Sequence, residues 1–208
     1  MSIELKNVTY TYSPGTAYEI HALKDVNLSI PDGQFIGIIG HTGSGKSTVV
    51  NLIPRFYDVT GGELLIDGVN IKDVPQKELR KRIGFVPQKG ILFSGTIESN
   101  LKYGGEHISD EYMNKAAAIA QATEFISSKE SGFNTEISQG GTNVSGGQKQ
   151  RLSIARALAI DPEIIVFDDS FSALDFKTDS KLREALAKET RAIVVDVVSD
   201  EVVVVDKF

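Results

Sequence analysis

Phe35-Ile36-Gly37-Ile38-Ile39 runs directly into Gly40-His41-Thr42-Gly43-Ser44-Gly45-Lys46-Ser47, and Thr48 onward is able to start a helix. The unbroken apolar run has the pattern of a strand buried on both faces of an α/β sheet. The residues after it satisfy G-x-x-x-x-G-K-[ST] in the strand-to-helix setting that this motif requires. Phosphate oxygens need several backbone N–H donors pointing inward, and only small residues let the chain wrap that closely. Gly43 and Gly45 therefore stand where the geometry demands glycine. Gly40, Thr42, Gly43, Ser44, Gly45, Lys46, Ser47 and Thr48 form the candidate phosphate cradle, with Lys46 reaching the β- and γ-phosphates and the Ser47 hydroxyl on Mg²⁺. ATP or GTP binding follows, but the motif alone does not choose among kinases, GTPases and motor ATPases.

Working outward, Ile3, Leu5, Val8, Tyr10 and Tyr12, and later Val26, Leu28 and Ile30, recur at roughly every second position. That spacing predicts strands of a partly exposed antiparallel sheet. Glu63 to Ile66, Ile83 to Val86 and Ile164 to Phe167 are further short strands; Asp110 to Phe125, Gly147 to Ile160 and Thr178 to Glu189 have helical spacing. The tail reads as two strands, Ala192 to Val198 and Glu201 to Asp206, joined by Ser199-Asp200. The expectation is a single α/β domain over residues 1–208. Its P-loop core and antiparallel β lobe occupy approximately 1–88 and 160–208, and an α-helical lobe occupies 89–159.

The composition is that of an ordinary globular chain: 208 residues, 41% hydrophobic and 24% charged. A net charge of -6 sets the overall field against polyanions, and no nucleic-acid partner is expected. With no cysteine, disulfides, thiol nucleophiles and thiolate metal sites are excluded. Glu4 and Lys6 interrupt any signal-like apolar start, and no stretch approaches the roughly 20 apolar residues of a membrane span, so membrane contact is expected only through a partner.

Two later stretches narrow the function. Ile164-Ile165-Val166-Phe167-Asp168 is an apolar strand ending in a carboxylate, which places a hard oxygen ligand beside the phosphate loop to hold Mg²⁺. Val144-Ser145-Gly146-Gly147-Gln148 leads straight into a helix, and a helix start preceded by serine and two glycines is physically an anion site. Here the sequence resembles the ATP-binding cassette (ABC) family, whose signature is Leu-Ser-Gly-Gly-Gln, with Val144 replacing leucine. The resemblance runs from about residue 3 to residue 190.

It implies that Ser145, Gly146, Gly147 and Gln148 grip the γ-phosphate bound by an opposite copy, so that two ATP molecules are sandwiched in a dimer. Tyr12 resembles the aromatic residue that stacks on adenine. Gln88, in Val86-Pro87-Gln88, resembles the glutamine that contacts Mg²⁺ or the attacking water and senses the membrane partner. Asp175, in Ser172-Ala173-Leu174-Asp175, resembles the residue that organises contacts across the dimer. The partners implied are a second nucleotide-binding domain, identical or not, and transmembrane transporter domains, which would hold the chain at the cytoplasmic face of the membrane. Ile91 to Ile97 with Asn100-Leu101 and Thr135-Glu136 looks like exporter cassettes. Ala22 to Leu28 through Gly43 looks closer to vitamin-importing energy-coupling cassettes; the exporter resemblance is favoured, because it lies in the residues facing the membrane subunit.

Two departures from the family bear on catalysis. Where the family places a glutamate general base, this chain has Asp169, a carboxylate retracted by about 1.5 Å from the reach that proton transfer requires. The family's switch histidine is absent downstream of the signature, since the only histidines are His21, His41 and His107. Catalysis is expected from Lys46, Gln88 and Asp169, with metal on Ser47, Gln88 and Asp168, and turnover slow. The alternative is a degenerate or shortened module that binds ATP with little hydrolysis.

Overall fold

The computed structural model describes residues 1–105 and 107–199. β1 (Ile3–Tyr12) and β2 (Ile20–Ile30) pair antiparallel, with Ile3 opposite Ile30, Leu5 opposite Leu28 and Val8 opposite Val26. The buried side of β1 is Ile3, Leu5, Val8 and Tyr10. Its alternation slips by one residue because the register shifts between Leu5 and Val8, where Asn7 takes a left-handed φ of 50°.

β3 (Phe35–Gly40) feeds the phosphate loop and then α1 (Lys46–Leu52). β4 (Gly61–Ile66) and β5 (Val69–Asn70) complete the antiparallel sheet in the order β2-β1-β4-β5. α2 (Gln76–Lys81) and β6 (Ile83–Val86) follow. Next comes the mainly helical stretch: β7 (Gly95–Thr96), α3 (Ile97–Leu101), α4 (Asp110–Ile119), α5 (Thr123–Ser127), β8 (Glu136–Ile137) and α6 (Gly146–Ala159). β9 (Ile164–Asp168), α7 (Phe176–Glu189) and β10 (Ile193–Ser199) close the described chain.

The second sheet is parallel in the order β3-β10-β9-β6. Ile164, Ile165, Val166 and Phe167 of β9 are all fully buried, because both faces are covered. Ile164 and Val166 join the core under the antiparallel sheet and α1, while Ile165 and Phe167 join the core under α4, α6 and α7. Burying each such side chain contributes roughly 1.5–3 kcal/mol. The strand that ends in Asp168 is thus anchored from both sides.

Two expectations need correction. β3 is not buried on both faces: among the described residues it is an edge strand, and Ile39 remains 52% exposed. Its apolar run is the same as that of a central strand, and only its place in the sheet order separates the two. Asp110 to Phe125 is not one helix but two, α4 and α5. Gln121 turns left-handed at φ 56°, and the Ala122 amide donates back to the Ala117 carbonyl at 2.8 Å, so the helix closes without the usual glycine or proline. The short α2 and α3 lack enough turns to show periodicity in sequence. The strand expected over Glu201 to Asp206 lies outside the described residues.

Candidate functional site

The phosphate loop is held by backbone conformations that only glycine adopts without strain. Gly43 and Gly45 have φ of 83° and 89°, and a Cβ on Gly45 would stand 2.8 Å from the Ala22 carbonyl oxygen and 2.9 Å from a Leu23 methyl. Gly45 therefore seats the loop against β2. No side chain caps α1, so its first-turn amides stay available at the loop. The Lys46 ammonium donates to the Gly40 carbonyl and, at 3.1 Å, to the His41 carbonyl, folding over the loop it would share with a phosphate.

Ser47 and Asp168, 121 residues apart, meet because β3 and β9 both flank β10 in parallel and end at the same edge. The Ser47 hydroxyl donates to Asp168 Oδ1 at 2.8 Å. A hydroxyl, a carboxylate and a glutamine carbonyl are hard oxygen donors that suit Mg²⁺ when phosphate oxygens complete the shell. Among the described residues, no group of three or more His, Cys, Asp or Glu side chains could hold a metal alone. The donor set fits a metal carried with a nucleotide.

Gln88 and Asp169 are also brought together: Gln88 Nε2 donates to Asp169 Oδ2 at 2.7 Å. Asp169 takes a left-handed φ of 51°, and its carbonyl accepts from the Ser172 hydroxyl at 2.9 Å. Tyr12 touches the cradle through its phenol, 3.2 Å from Thr48 Oγ1, and lies edge-on to Tyr10 with ring centres 4.8 Å apart.

The signature residues cap α6. Ser145 Oγ accepts from the Gln148 amide at 3.2 Å, and Gln148 Oε1 accepts from the Ser145 amide at 3.0 Å. The hydroxyl still has its proton to donate, and first-turn amides such as those of Gly146 and Gly147 have no partner within the helix. Among the described residues, no hydrogen bond joins Ser145, Gly146, Gly147 or Gln148 to the phosphate loop. Asp175 caps α7, and the Thr178 hydroxyl and amide hold its carboxyl below the usual carboxylate range.

Three side chains behind this site were not anticipated. Ser170 is fully buried and donates to the Val86 carbonyl at 2.7 Å. Asp196, 1% exposed on β10, accepts from Arg183 at 2.8 Å. Arg183 in turn sits 4.2 Å from the Phe171 ring centre, under the segment that follows Asp169. For Asp196 a signal existed: a lone carboxylate inside the apolar run Ile193 to Val198. Ser170 carried none.

A glycine-rich loop between a parallel strand and a helix, with its serine bonded to an acidic strand end, defines a P-loop nucleotide-binding domain. The signature residues Ser145 and Gln148 form the cap of α6. A model of the ABC transporter family matches residues 23–172, and the chain belongs to that family. Similar proteins include one of Staphylococcus aureus strain NCTC 8325, named as a multidrug export ATP-binding/permease protein. It is 46% identical over 184 residues, covering 88% of this chain and 31% of that protein. A counterpart in the bovine strain RF122 matches to the same extent, also at 46% over 184 residues. Among solved structures, a bacterial Atm1-family ABC exporter with ATP bound superposes with a TM-score of 0.88 at 34% identity, covering 96% of this chain and 34% of that one.

The similarity is on the exporter side of the mixed resemblance, and the chain has the ABC ATPase fold. It spans about a third of the length of the curated relatives it matches. No helix among the described residues is long and apolar enough to cross a membrane.

Proposed function

We propose that this chain binds Mg-ATP through Gly40, Thr42, Gly43, Ser44, Gly45, Lys46, Ser47 and Thr48, and hydrolyses it to drive transport by membrane domains. The observation that carries the reading is the Ser47–Asp168 contact at 2.8 Å beside the left-handed Gly43 and Gly45, on a chain of the ABC family. Lys46 releases its loop carbonyls to bind the β- and γ-phosphates. Ser47, Asp168 and Gln88 would hold Mg²⁺, which when bound offsets negative charge on the phosphates. Asp169 orients and deprotonates the attacking water, held in place by Gln88. Tyr12 receives the adenine ring.

Ser145, Gly146, Gly147 and Gln148 serve the nucleotide of a second copy or a related domain, a reading supported by the absence, among the described residues, of any hydrogen bond from them to this chain's own loop. Transmembrane domains are the second partner. Ile91, Phe93 and Tyr103 are 56%, 43% and 65% exposed, with the last two rings stacked at 4.4 Å, an apolar patch that suits docking below the membrane on its cytoplasmic side.

The reading in which the chain binds ATP but scarcely hydrolyses it is favoured by one observation, the engagement of the short Asp169 side chain with Gln88 at 2.7 Å. Mg-ATP binding, steady-state phosphate release and light scattering on the wild type, Lys46→Ala and Asp169→Glu separate the two. Binding lost in Lys46→Ala and release raised in Asp169→Glu support the ATPase. Binding without release in either the wild type or Asp169→Glu supports the binding module, and no binding at all refutes both.

A further inference from the structure

We propose that Ser170, together with Gln150, is a positioning residue that fixes the Gln88 segment against Asp169 by holding the carbonyls of Val86 and Pro87; the proposal rests on the ATPase reading above. The ladder between β6 and β9 stops at the pair Val86 and Phe167. Beyond it the two strands part, one leading to Pro87 and Gln88 and the other to Asp168 and Asp169. Proline has no N–H to offer the ladder, and the Pro87 carbonyl lies past the last paired residue.

Ser170 adds a side-chain donor at this end of the ladder. Its side chain is fully buried, and its hydroxyl lies 2.7 Å from the Val86 carbonyl oxygen and 3.3 Å from that of Pro87. A hydroxyl has one proton, so the shorter contact takes most of it. Pro87 receives its second donor from elsewhere: Gln150, 1% exposed on α6, brings Nε2 to 3.3 Å from the same oxygen. Two successive carbonyls are thus gripped, one mainly from the segment that follows the acidic pair and the other from the helix that Ser145 caps.

The next residue is Gln88, whose amide reaches Asp169 Oδ2 at 2.7 Å. A shift of the Pro87 carbonyl moves the Gln88 side chain relative to Asp169 with little effect on the phosphate loop, which hangs from β3. Buried polar side chains bonded across such sequence separations are costly unless satisfied, and here both satisfy backbone that carries a catalytic side chain. Neither Ser170 nor Gln150 touches the nucleotide site, so their effect is on geometry and not on binding.

The test uses Ser170→Ala and Gln150→Met, which drop the donor while keeping similar volume, singly and combined in the 208-residue chain. Each single change is expected to lower kcat by about five- to tenfold, the effect of one lost hydrogen bond, with Mg-ATP affinity within about twofold of wild type. The double variant falls by less than the product, since both donors serve one segment. Amide hydrogen exchange across residues 84–92 quickens in every variant with Mg-ATP bound. Unchanged kcat and unchanged exchange in both single variants overturn the inference, as does a loss of kcat matched by an equal loss of ATP affinity. A wild type that binds Mg-ATP but releases no phosphate refutes the ATPase reading alone; exchange across 84–92 then decides the positioning role by itself.

Discussion

Asp196→Asn is expected to stabilise the fold at mildly alkaline pH and to leave it almost unchanged near pH 4. Asp196 stands on β10 with 1% of its surface exposed, one oxygen bonded to Arg183 at 2.8 Å and the other buried without a partner. Burial pushes its carboxyl up from 3.8 to about 7, against the attraction of Arg183 and with help from the charges of Asp179 and Asp169. Folded Asp196 thus keeps a proton that the unfolded chain has already released. Between roughly pH 4 and pH 7 the native state binds more protons, and stability falls as pH rises.

A shift of about three units at about 1.4 kcal/mol each makes the ionised form cost on the order of 4 kcal/mol above that window. Asparagine has nearly the same shape, still accepts from Arg183 and never ionises. Urea unfolding of both proteins from pH 5 to pH 8 is the assay, and the stability gap in favour of Asp196→Asn should widen by about 3 kcal/mol across that range. A gap independent of pH, or a wild type that outlasts the variant at pH 8, refutes the reasoning. Arg183→Met, which removes the attraction, should carry the window to higher pH.

Gly45→Ala should abolish Mg-ATP binding in calorimetry: its left-handed backbone costs about 1–2 kcal/mol for alanine, and the new Cβ meets the Ala22 carbonyl at 2.8 Å. Gly43→Ala, with open space around the same atom, should incur only the backbone cost and weaken binding less. Ser145→Ala removes the cap of α6 and should lower stability by about 1 kcal/mol in denaturant unfolding. The same variant should retain ATP binding to the monomer yet lose ATP-dependent dimerisation by light scattering.

Much of this molecule could be read along the chain because its strongest signals are local. Gly40 to Ser47 specify a backbone shape within one loop, and the apolar run ending in Asp168 specifies a buried strand with an acidic tip. The Ser145–Gln148 box is a bond between residues three apart, so its sequence alone announces a helix start. Ile3, Leu5, Val8 and Tyr10 show strand alternation, and even their slip of phase is a local bulge at Asn7.

What required tertiary structure was everything set by the order of strands. Phe35 to Ile39 has the composition of a central strand, yet its position at the sheet edge leaves Ile39 in solvent, a fact absent from the residues themselves. Gln121 ends a helix through a backbone twist that its own side chain does not require. Ser47 with Asp168, Gln88 with Asp169, Ser170 with Val86 and Arg183 with Asp196 are contacts between separate elements, created only when β3, β10, β9 and β6 align their ends. The sequence by itself therefore determined which groups are candidates to handle phosphate and which segments fold, since those depend on neighbours along the chain. The tertiary structure decided which carboxylate meets which donor and which charge is buried, because distances between strands and exclusion of water exist only after the sheet is assembled.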